Sequence, residues 1–158
     1  MESHSGHRDM DQLTSLLLRH FEDRGDFNID DLVYVYGDSR QALLHFRVFW
    51  PELIKVCGRV VLKSTVESEG GPDALTALLK ERPDESLEIL AGYRWVEVPY
   101  LFSNDGDLKD EHHYLAQLMA ETWKGALLLQ FPEQKWTTRV LEPEETGEVV
   151  GVCFEEAE

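Results

Sequence analysis

The chain has 158 residues, with 15 Lys+Arg against 31 Asp+Glu for a formal charge of −16, and 42% of its residues are hydrophobic. That hydrophobic share excludes a disordered acidic tail, which could not bury enough apolar surface to offset chain entropy. For a folded chain of 18.2 kDa the excess amounts to one uncompensated negative charge per roughly 500 Å², which argues against nucleic acid or anionic lipid as partners and for basic proteins.

Two cysteines, Cys57 and Cys153, are too few for a secreted disulfide framework; both sit in apolar runs and read as buried free thiols in a reducing compartment. The start, MESHSGHRDMDQ, has neither the charged segment nor the apolar segment of a signal peptide. No apolar run approaches the ~20 residues that span a bilayer. The expectation is a cytoplasmic protein without a membrane partner.

In chain order, residues 1–8 read as a flexible polar leader and residues 9–158 as a single α+β domain. Leu13, Leu16, Leu17 and Phe21 fall on one helical face, with Asp9 or Asp11 as cap and Gly25 as stop. Leu32–Tyr36 is β-branched and aromatic and predicts a strand. Residues 39–50 fit either period: Asp38 with Gln41 and the Ala42, Phe46, Phe49 stripe favour a helix, whereas Ala42, Leu44, Phe46, Val48 and Trp50 alternate as in a strand. The helix is preferred because the cap agrees with it. Leu53–Val56 and Arg59–Lys63 predict a hairpin around Cys57-Gly58, with Gly58 supplying a positive φ. After an ESEGG loop, Pro72 opens a helix carrying Leu75, Leu78 and Leu79 that stops before Pro83. A short helical segment from Asp84 to Gly92 and a strand Arg94–Val98 ended by Pro99 follow.

In the last third, Asp107 is predicted to open a helix burying Leu115, Leu118, Met119 and Thr122. Strands Ala126–Phe131, Trp136–Leu141 and Glu148–Phe154 follow, joined by PEQK and by PEETG, with Gly147 placed for a bulge. Trp136, Thr138 and Val140 share one face of their strand. The expected fold is α+β, with about four helices, about six strands and a C-terminal antiparallel meander packed on a helix.

No standard catalytic string occurs: there is no Gly-x-Ser-x-Gly, no Gly-x-Gly-x-x-Gly, no phosphate loop and no His-Glu-x-x-His. Gly70-Gly71 is flanked by Glu67, Glu69 and Asp73, which would repel a phosphate. The most metal-like cluster is Asp105, Asp107, Asp110, Glu111, His112 and His113, donors suited to Zn²⁺, Mn²⁺ or Fe²⁺. Adjacent His112 and His113 point about 100° apart on a helix, and no second His or Cys lies three or four residues from either. A calcium loop fails as well, since Leu101 and His112 would occupy its carboxylate positions. Acids at a helix N-terminus that stabilise its dipole account for the cluster more simply. Neither cysteine is directly flanked by a basic residue or lies at a predicted helix N-terminus, and His20 and His45 read as surface or boundary residues of helices. No cofactor is expected.

The acid distribution stands above background. Glu142, Glu144, Glu145, Glu148, Glu155, Glu156 and Glu158 occupy the last seventeen residues without a basic residue among them. Trp95, Tyr100, Phe102, Trp123 and Trp136 supply aromatic rings for a docking surface of charge and anchors. The expected function is an acidic protein-binding module, such as an immunity- or antitoxin-like inhibitor that masks a basic partner, for instance a nuclease toxin. Its contact residues would be Asp105, Asp107, Glu111, Glu142, Glu144, Glu145 and Glu148. The alternative is a metal-assisted hydrolase or small-ligand binder built on residues 105–113, with Asp110, Glu111, His112 and His113 as ligands.

Overall fold

A computed structural model describes residues 10–19, 29–102 and 108–157 of the chain. The fold class is α+β: the described residues form eight α-helices, two 3-10 turns and five strands in two small antiparallel sheets. The backbone groups into two compact units, Met1–Leu43 and Leu44–Glu158.

In the first unit, α1 (Met10–Arg19) buries Leu16. Phe21 and Gly25 lie outside the described residues. The next element corrects the sequence reading, because Ile29–Tyr36 is a helix, α2, and not a strand. Asp30 and Asp31 lie in its first turn, where their charge complements the helix dipole. The strand preference of Val and Tyr chiefly reports packing on a pleated surface, and no described strand lies within this unit. The ambiguous segment is helical, as preferred: α3 (Ser39–Phe49) starts on Asp38, whose carboxylate accepts from the Arg40 and Gln41 backbone N–H groups at 2.7 and 3.4 Å.

The second unit opens with the predicted hairpin, β1 (Leu53–Val56) and β2 (Arg59–Leu62), paired Leu53 to Leu62 and Val56 to Arg59. Cys57 and Gly58 both take positive φ, 49° and 78°, as a two-residue turn of the mirror-image type requires. Strand β2 is covered on both faces. Val60 and Leu62 enter one core and Val61 the other, so its apolar run is continuous.

The smaller core gathers Val56, Val61, Val66, Leu75 and Leu90 beneath α4 (Lys63–Ser68), α5 (Gly71–Glu81) and α6 (Ser86–Gly92). Helix α4 takes up Glu67 and Ser68 of the predicted ESEGG loop, and α5 begins at Gly71. A 3-10 turn, Pro83–Glu85, precedes α6, much as expected.

The larger core lies between α7 (Lys109–Gln130) and a three-stranded sheet. Helix α7 runs through the predicted strand Ala126–Phe131, a second correction. A short apolar run does not reveal its period, whereas burial of Ala116, Met119, Ala120, Trp123, Ala126 and Leu127 traces one helical stripe to the end. Of the predicted stripe, Met119 is fully buried, while Leu115, Leu118 and Thr122 are only partly so. The sheet order is β3-β5-β4, formed by β3 (Trp95–Glu97), β4 (Trp136–Leu141) and β5 (Gly151–Glu156). It is antiparallel and packs on α7 as expected, but it is not a meander of consecutive strands. The upstream β3 replaces the predicted first strand. Trp123, Phe154 and Trp136 meet edge to face at 6.2 and 5.8 Å between ring centroids.

The PEETG connection is also reshaped: Pro143–Thr146 forms a helical turn, α8, which Gly147 ends at φ 94°, and β5 begins only at Gly151. Beneath the sheet, buried Arg94 donates through Nε to the Val60 carbonyl at 2.9 Å and through Nη2 to Glu156 at 3.1 Å. Arg59 reaches the other oxygen of Glu156 at 2.7 Å. This ion-pair triad ties the hairpin to β5.

Candidate functional site

The start of α7 and the α8 turn face each other across a cleft of about 370 Å³. From α7 come Lys109, Asp110, His112 and His113; from the other side come Glu142, Pro143 and Glu148. Pro99, Val149 and Val150 supply its apolar surface. Two backbone features hold the walls together. The Val98 N–H donates to the Val150 carbonyl at 3.0 Å, which carries the Pro99–Tyr100 turn alongside Glu148. The Glu142 N–H donates to the Glu145 carboxylate at 3.0 Å, which starts α8.

Imidazole and carboxylate meet where Nδ1 of His113 lies 3.8 Å from Oε2 of Glu142, an attraction that needs the imidazolium form. His112 is buried at 5% exposure. The charge of Glu148 is the main influence that raises the Tyr100 phenol above its ordinary 10.0, and burial and Glu97 act in the same direction. Tyr100 is an exposed ring on this rim. Of the other aromatics named as anchors, Trp123 and Trp136 are core residues and Trp95 and Phe102 are partly buried.

The sequence-predicted contact residues that are described separate into three groups. Glu142 and Glu148 line the cleft together with Asp110. Glu111, half-buried, and Glu144, exposed, are not among its lining residues. Glu145 is engaged in the fold, since it caps α8 and accepts from Arg139 at 2.7 Å. The Glu142 N–H, and next the Arg139 guanidinium, hold the Glu145 carboxyl below its ordinary 4.5. Asp105 and Asp107 lie outside the described residues.

Among the described residues, no group of three or more His, Cys, Asp or Glu side chains is arranged to hold a metal ion. Asp110, His112 and His113 line the one cleft without forming such a group, and Glu111, between them on the helix, is not among its lining residues. One expectation for the cysteines is corrected: Cys153 is buried, but Cys57 is exposed because the hairpin turn carries it out of both cores. Burial pushes the Cys153 thiol above its ordinary 9.0. Sequence reasoning read Pro99 only as a strand end and passed over the pairing of Tyr100 with Glu148, since the strand pairing that joins those segments has no local signature. It also missed the burial of Arg94. Among the described residues, no helix is long and apolar enough to cross a membrane.

Comparison of the chain with protein-family models, with curated proteins and with solved structures finds no match.

Proposed function

We propose that the protein is an acidic binding module that docks a basic protein, and that it acts as an inhibitor by covering a cationic site on that partner. The observation that supports this reading is the convergence of Asp110, Glu142 and Glu148 on one cleft with apolar walls from Pro99, Pro143, Val149 and Val150. A lysine or arginine side chain has the matching character, an aliphatic stem below a cationic head. Tyr100 adds a ring at the rim that can pack on such a stem. A nuclease must present Lys and Arg to phosphate, so an immunity- or antitoxin-like role is one that a surface at −16 is suited to fill. Long-range attraction would carry association toward ~10⁸–10⁹ M⁻¹s⁻¹ at low salt.

The test is a pull-down from the native cell at low and high salt, using the wild type and a Glu142→Lys/Glu148→Lys variant. One basic protein retained at low salt, released at high salt and lost in the variant is the expected result. Absence of a basic partner, or binding that survives the double charge reversal, would overturn the reading.

A further inference from the structure

Hydrogen-bond direction along the three-stranded sheet leaves one edge open. The Ala157 N–H donates to the Lys135 carbonyl at 2.9 Å, so these two form a bonded pair one step before the Trp136 to Glu156 register. In an antiparallel ladder such pairs recur at every second residue. Thr137, Arg139 and Leu141 therefore bond to β5, whereas the backbone N–H and C=O groups of Trp136, Thr138 and Val140 point away from it. Among the described residues, none bonds to those groups.

The other described edges are guarded. On β2 the Val60 carbonyl accepts from Arg94 and the Leu62 N–H donates to the Tyr93 carbonyl. Strand β1 spans four residues and carries Lys55, and β3 spans three and leads into Pro99. Short strands, lysine and proline are common means of blunting an edge. Strand β4 has six residues, of which Thr137, Thr138 and Val140 are β-branched, and it contains neither proline nor glycine. Its one charged side chain, Arg139, is held by Glu145 at 2.7 Å.

We propose that the protein takes its partner by strand addition: an extended basic segment of that partner pairs antiparallel with β4 as a fourth strand and delivers a lysine or arginine into the cleft beside Glu142. The inference rests on the reading of the protein as a binder of a basic protein. Charge selects the occupant. Residues 131–158 hold eight glutamates against Lys135 and Arg139, so a second copy of this region or any acidic segment meets repulsion, and a basic segment attraction. Backbone pairing then adds the register that charge alone does not give.

Geometry sets where the cation falls. Strand β4 ends at Leu141, and the next residue, Glu142, lines the cleft with Asp110 and His113 of α7. Val140 packs against the larger core, on the α7 side of the sheet. Residues directly opposite each other in a sheet share a face, so the added residue opposite Val140 lies on that side. The residue two positions further, roughly 7 Å along the strand, is on the same side and level with Glu142. A lysine or arginine there meets the carboxylate, and Pro143, Val149 and Val150 offer apolar surface to its stem.

The test uses the full chain and a ten-residue peptide of alternating threonine and lysine, with hydrogen exchange followed by nuclear magnetic resonance. The peptide should slow exchange of the Thr138 and Val140 amides, and the same peptide with glutamate in place of lysine should not bind. Thr138→Pro removes an N–H that points away from β5. The cooperative melt should survive it, while the dissociation constant of the peptide rises on the order of tenfold. Should this substitution disturb β4, methylated peptides decide the matter on the unaltered protein. N-methylation of the lysine amides, which face β4 in the antiparallel register, should abolish binding, and N-methylation of the threonine amides should not. Binding that leaves the Thr138 and Val140 amides unprotected, equal tolerance of both methylations, or no binding up to millimolar peptide overturns the inference. Binding weakened by Glu142→Lys/Glu148→Lys but indifferent to Thr138→Pro overturns the fourth strand and leaves the cleft reading standing. The converse overturns the cleft as the seat of the lysine and leaves the fourth strand standing.

Discussion

Arg94 and Glu156 show how one pair of side chains can hold two sheets together. Burial lowers the Arg94 pKa from its ordinary value and Glu156 opposes that shift, so the carboxylate is what makes a buried guanidinium tolerable. Removing it leaves a charge without compensation. Glu156→Ala should destabilise the second unit by about 3 kcal/mol, read as a lower denaturant midpoint. An Arg94→Met/Glu156→Ala variant should regain part of that loss, because no charge is then stranded. The cysteines give a second prediction at this scale. An aromatic disulfide reagent should titrate Cys57 in the folded protein and reach Cys153 only on unfolding. Because the folded Cys153 pKa is raised, its thiol favours folding below the unfolded value, and that contribution is lost as pH rises through the folded value. Cys153→Ala should therefore flatten the fall in stability above about pH 9.

Among the elements, α8 is the smallest and has the clearest local origin. Glu145 both caps the turn and pairs with Arg139, which keeps its carboxyl depressed. The resulting stability is present above the unfolded pKa and lost as pH falls through the lower folded value, so Glu145→Gln should remove a step in acid titration of the melting temperature. Gly147, at φ 94° with open space around it, should cost about 1 kcal/mol when changed to Ala, from backbone strain alone. Deletion of residues 132–158 is a harsher intervention. It removes Trp136, Val152 and Phe154 from the larger core, and the unit should lose its cooperative melt.

At the scale of the whole molecule, charge sets how association depends on salt. The −16 charge predicts that association with a basic partner slows steeply as salt rises, which stopped-flow fluorescence of the tryptophans would follow.

What the sequence determined by itself is local. Composition and helix signals were enough for the α+β class, the Cys57-Gly58 hairpin, the Asp38 cap, helix α5 and strand β4. Each of these is decided by residues within a few positions of one another. Leu32–Tyr36 and Ala126–Phe131 were misread because short apolar runs lack a resolvable period, and their state depends on what lies beside them. The acids of the candidate site were legible as residue types, whereas their sorting into cleft-lining Glu142 and Glu148 and structural Glu145 was not. That sorting follows from β3 pairing with β5 and α7 packing on their sheet, contacts between segments far apart in the chain. Only the folded backbone brings such segments together, so tertiary structure alone decided which carboxylates face one another.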